Sequence, residues 1–84
     1  MNTKQRRTLE KVFKKPTPAD IRWNDIMALL NAVGVNVSQR SGSRVGLKKG
    51  SERMVVHRPH PEPETGRKTV RAIARFLTTT GIEP

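Results

Sequence analysis

Only two histidines occur in this chain, and they stand together in Val56-His57-Arg58-Pro59-His60-Pro61. A free imidazole titrates near pH ~6.5, so it can both take and give a proton close to neutrality. His57 and His60 are therefore the candidate general base and acid, with Arg58 beside them to stabilise developing negative charge. A second cluster is Ser43-Arg44-Val45-Gly46-Leu47-Lys48-Lys49. In an extended strand Arg44, Gly46 and Lys48 share one face, while Val45 and Leu47 share the other. A glycine between two cations leaves room for a phosphate, and it equally suits a twist or a bulge. A third is Arg67, Lys68, Arg71 and Arg75, a stripe uninterrupted by acid that can follow a phosphate backbone. Each feature also has a plainer reading: a structural histidine at a strand end, and solvated basic faces.

Charge indicates what these groups act on. Seventeen Lys and Arg oppose seven Asp and Glu, giving +10, and both halves of the chain share the excess. Positive charge spread over a small domain points to a polyanionic partner, nucleic acid before any other. RNA carries its own nucleophile, the 2′-hydroxyl. A base to deprotonate it and cations on the scissile phosphate can cut the strand without a metal, and positioned acid–base catalysis supplies roughly 10² to 10⁴ in rate.

Other chemistries lack their residues. There is no cysteine, hence no disulfide framework and no thiolate zinc site. Asp20, Asp25, Glu62 and Glu64 are scattered rather than paired as a magnesium cluster. No Gly-rich phosphate loop and no serine-nucleophile motif occurs. Neither metal nor cofactor is expected. Met1 to Lys15 is basic with no apolar run after it, so it does not read as a secretory signal. No stretch approaches the roughly 20 apolar residues of a membrane span. The expectation is a soluble, cytoplasmic protein.

The elements that hold these residues follow from periodicity. With 84 residues, 33% of them apolar, the chain has room for one modest core. Thr3 to Lys14 reads as a short helix with Leu9, Val12 and Phe13 on one side. Pro16 and Pro18 break it off, giving residues 1–18 as an N-terminal helical extension and linker, and 19–84 as a single domain. Trp23 to Val33 is a better helix, with Asn24 as its expected cap, an Ile26, Leu29, Leu30, Val33 stripe, and Gly34 as terminator. Three strands follow: Val35 to Arg40, the segment around Val45 and Leu47, and Glu52 to Arg58. In the third, Arg53, Val55 and His57 share one face and Met54, Val56 and Arg58 the other, and either set can face the helices. Arg67 to Thr79 closes the fold as a helix with Val70, Ile73, Ala74 and Leu77 inward and Lys68, Arg71 and Arg75 outward. The fold class is α+β, in the order α-β-β-β-α with an added N-terminal helix. Two helices on one face of a three-stranded antiparallel sheet resemble a double-stranded-RNA-binding domain.

Three segments in this order resemble the HicA family of toxins from HicAB toxin–antitoxin systems. They are Gly42-Ser43-Arg44, Met54-Val55-Val56-His57-Arg58-Pro59-His60-Pro61, and Gly66-Arg67-Lys68-Thr69-Val70-Arg71-Ala72-Ile73. Ile21 to Leu30 is similar to the first core helix of that family, and the likeness runs from about residue 20 to 82. The resemblance implies a metal-independent endoribonuclease acting on mRNA, neutralised by a HicB-type antitoxin and oligomeric only with it. In many members a histidine follows the Gly-Ser pair and is catalytic; here that position is Arg44. The role then passes to His57 or His60, His57 preferred because a strand holds it, while Arg44 steadies the phosphate. Lys48, Arg58, Arg67, Lys68, Arg71 and Arg75 complete the expected RNA-binding set, on a surface that an acidic partner would share. Two rival readings are a non-catalytic RNA-binding module and an interaction protein whose basic face receives an acidic partner.

Overall fold

The computed structural model describes all residues, 1–84. Its elements are α1 (Thr3–Phe13), α2 (Trp23–Ala32), β1 (Asn36–Gln39), β2 (Arg44–Lys49), β3 (Glu52–His57) and α3 (Arg67–Thr79). Each arises for a local reason. Asn2 and Gln5 form a reciprocal cap on α1: the Asn2 side chain accepts from the Gln5 amide at 2.8 Å, and the Gln5 side chain accepts from the Asn2 amide at 2.9 Å. Helices α2 and α3 end alike. Gly34 (φ 84°) and Gly81 (φ 87°) turn the chain, and the amides of Val35 and Ile82 reach back to the carbonyls of Leu30 and Leu77, both at 2.9 Å.

Asn24 does not cap α2. The cap position is Arg22, with no side-chain bond, and Asn24 lies within the first turn. The reason is tertiary: the Trp23 amide donates to the Pro63 carbonyl at 2.9 Å, and the Thr65 amide donates to Ile21 at 2.7 Å. The proline-rich segment thus pairs with the entry to α2, and its Pro63 carbonyl serves the first helical amide, which has no partner within the helix.

The strands form one antiparallel sheet in the order β1-β2-β3. Register settles the face that alternation left open. Val45 pairs with Val56 and Leu47 with Met54, so those residues point to the core, and Arg53, Val55 and His57 point away. Cross-strand partners share a face. Val55 is accordingly 48% exposed, and Val56 is buried.

One core holds the molecule together. It joins Leu9 and Val12 of α1, Ile26, Leu29 and Leu30 of α2, Val45, Leu47 and Val56 of the sheet, and Val70, Ile73, Phe76 and Leu77 of α3. Helix α2 packs over β1 and α3 over β3, while α1 lies across both helices and touches no strand. The result is three layers, with the second face of the sheet uncovered. Lys49 ties sheet to helix by donating from Nζ to the Val33 carbonyl at the end of α2, at 3.0 Å, where the helix dipole favours a cation. No helix is long and apolar enough to cross a membrane.

Leu47→Ala should lower the unfolding free energy by about 2–5 kcal/mol, and Leu9→Ala by at least about 2 kcal/mol. Val55→Thr should stay within about 0.5 kcal/mol. Denaturant titration of the three variants checks this. A loss below about 0.5 kcal/mol for Leu9→Ala would show that α1 is a loose appendage.

Candidate nucleic-acid interface

The uncovered sheet face is a grid fixed by register. One row is Asn36, Lys48 and Arg53; the next is Ser38, Gly46 and Val55; the last is Arg40, Arg44 and His57. Arg40 joins the last row because its amide donates to the Arg44 carbonyl at 2.9 Å, extending the ladder one residue past β1. Four permanent cations and one imidazole therefore stand on a face that carries no acidic side chain. Across the whole chain a single ion pair forms, Lys4 with Asp25 at 3.5 Å, far from this face in the α1–α2 layer.

The row of Arg40, Arg44 and His57 is held by specific contacts. Arg44 donates from Nη2 to the Ser41 hydroxyl at 2.7 Å and from Nε to the Ser41 carbonyl at 3.4 Å. Its remaining N–H donors are free for a ligand. His57 pairs directly with Arg44, and its Nδ1 lies 3.4 Å from the Ser43 hydroxyl. The Arg58 amide donates to the Ser43 carbonyl at 2.8 Å, which fixes Ser43 beside the ring. In the tautomer whose Nδ1–H donates to Ser43, Nε2 is unprotonated and can accept a proton.

Gly46 serves this row in an unexpected way. A Cβ built there would stand 2.7 Å from Nε and 2.9 Å from Nη2 of Arg40, and 2.8 Å from the Ser38 hydroxyl. The space above the glycine is filled by the Arg40 side chain, which lies flat across the sheet next to Arg44. Arg40 and Ser41 were not singled out by the sequence, and Ser43 and Arg53 were noted there without a role of their own. The connection between β1 and β2 is three residues long, Ser41-Gly42-Ser43, and this is what places Arg40 opposite Arg44.

The remaining expected site residues lie elsewhere. Arg58 follows the core-side alternation and donates from Nη2 to the Gln39 side chain. It borders a depression with Arg22, Trp23, Asp25 and Glu62, where charge is mixed. His60 is exposed in the proline-rich turn, outside the sheet. Arg67, Lys68, Arg71 and Arg75 are exposed on α3, in the layer that covers the other face of the sheet. The Arg67 Nε donates to the Thr17 carbonyl at 3.0 Å. The cations expected to form one surface are thus divided in two, with the core between them. No three His, Cys, Asp or Glu side chains converge anywhere.

Gly46→Ala should leave the unfolding free energy within about 1 kcal/mol, because the obstructing atoms are side-chain ends, yet it should displace the Arg40 guanidinium. The Arg40 Nε–H resonance in a ¹⁵N spectrum reports this directly. An unmoved resonance, or a loss of several kcal/mol, would refute the packing described.

Comparison with known proteins adds the family. No curated protein and no solved structure matches the chain. A family model, described as the HicA toxin of bacterial toxin–antitoxin systems, matches residues 23–82. That span holds both core helices, all three strands and every residue of the uncovered face, and leaves α1 outside it. The chain belongs to the HicA toxin family.

Proposed function

We propose that this toxin is an endoribonuclease that cuts mRNA in the cytoplasm on the uncovered sheet face and is silenced by a HicB-type antitoxin. Residues 19–84 form the cleaving domain, and residues 1–18 are an addition to it. One observation carries the reading. The position after Gly42-Ser43, where many relatives have a histidine, is Arg44, and its cross-strand partner is His57. The imidazole is absent from β2 but present on β3, on the same face and in the same row.

The chemistry follows from that row. Arg40, Arg44, Lys48 and Arg53 bind the phosphates, and the Arg44 guanidinium offers paired donors to the scissile one. His57 Nε2 takes the proton of the 2′-hydroxyl. The 2′-oxygen attacks phosphorus, the bond from phosphorus to the 5′-oxygen breaks, and that oxygen leaves with a proton from solvent. The products are a 2′,3′-cyclic phosphate and a 5′-hydroxyl. Charge that develops on the phosphoryl oxygens falls to Arg44 and Arg40. Arg58, Arg67, Lys68, Arg71 and Arg75 take no part in the cut, and neither does His60.

The substitution by Arg44 itself favours a second reading, a non-catalytic RNA-binding module using the same face. The two part company on a substrate with 2′-deoxy sugars. The enzyme should bind that strand as it binds RNA and leave it whole, while cutting the all-ribose strand to cyclic-phosphate ends. A module leaves both whole. In the same assay Arg44→Gln with Lys48→Gln should weaken binding and flatten the slope of log K against log salt by about 0.7 for each phosphate no longer neutralised. An unchanged slope would place the RNA elsewhere.

A further inference from the structure

The cations of α3 lie beside a groove that the family's own span does not complete. It has a volume of about 810 Å³ and runs between the end of α1, the segment after it, and α3. Phe13 and Ala74 give it an apolar floor, and both are half-buried. Lys14 and Lys15 stand on one wall and Arg71 and Arg75 on the other. No carboxylate lines it, and no salt bridge engages these four cations. Arg67 braces one end through its bond to Thr17. The helical layer and the sheet separate the groove from His57.

We propose that this groove docks an acidic, amphipathic segment of a partner protein. An apolar side chain of the segment covers Phe13 and Ala74, and its carboxylates meet Lys14, Lys15, Arg71 and Arg75. Charge complementarity with an apolar floor selects this occupant. An RNA strand would satisfy the cations but would lay sugar and phosphate over the apolar floor. A segment held here leaves the RNA face uncovered, so the site does not depend on the ribonuclease reading. It also gives the N-terminal addition a purpose, since Phe13, Lys14 and Lys15 all precede the family span.

The test uses ¹⁵N-labelled full-length protein titrated with a synthetic peptide of alternating Glu and Leu, and separately with a peptide whose Leu are replaced by Ser. The Leu peptide should shift the amides around Phe13, Ala74 and Arg75 and leave those of Arg44 and His57 in place, and the Ser peptide should bind more weakly. Arg71→Glu with Arg75→Glu should lower affinity about tenfold. Ala74→Gln, which fills the floor without touching charge, should abolish the difference between the two peptides. RNA cleavage should be unchanged in all these variants. Absence of shifts, shifts on the sheet face, equal binding of both peptides, or an oligoribonucleotide shifting the groove in preference to the sheet would each overturn the proposal.

Discussion

The central strand β2 sets the rest of the structure. It is hydrogen-bonded on both sides, and its Val45 and Leu47 are almost fully buried against the helices. Because side chains alternate strictly along a strand, burying those two forces Arg44, Gly46 and Lys48 outward. A slip of one residue would send two cations into the core and two aliphatic side chains into water, so register is strongly specified. Both neighbouring strands inherit that choice. Arg40, Arg53 and His57 face solvent because of what they pair with, and their own side chains do not decide it.

That constraint creates an electrostatic problem. Like charges at neighbouring positions on a sheet repel, and nothing acidic on the face relieves them. The structure limits the cost by keeping the cations in water, where two unit charges 4 Å apart interact by about 1 kcal/mol. It also limits it by tethering: Arg44 is bound to Ser41, and Arg40 lies over Gly46. A polyanion removes the repulsion on binding, which is why uncompensated charge in so small a protein is a statement about its partner. On the other side of the core, the segment after α1 and helix α3 hold four more unpaired cations around an apolar floor. Two basic surfaces that do not touch allow two different ligands to be held at once.

Much of this was legible in the residues. The boundaries of α3, Arg67 to Thr79, follow from periodicity, and so do the turn glycines and the alternation of β2. The family resemblance, carried by short motifs in order, agrees with the matched span. What alternation left open was the orientation of β3, because each of its faces carries an apolar residue, Val55 on one and Met54 and Val56 on the other; pairing with Val45 and Leu47 decides it. The start of α2 at Trp23 was legible, but its cap was not: the position is Arg22 rather than Asn24, and the entry is held by the Pro63 carbonyl, which accepts from the Trp23 amide. The division of the cations was hidden for the same reason. Helix and strand faces can each be read locally, but which side of the sheet a helix covers is a tertiary fact.

The central claim is that the imidazole on β3 does the work of the one missing from β2. Labelled single-stranded RNA should be incubated in excess EDTA with the wild-type protein, His57→Ala and His60→Ala, each shown to be folded and to bind RNA. The account predicts cleavage by the wild type and by His60→Ala, and its loss in His57→Ala alone. Cleavage undiminished in His57→Ala, or RNA that is bound and left intact by the wild type, would contradict it.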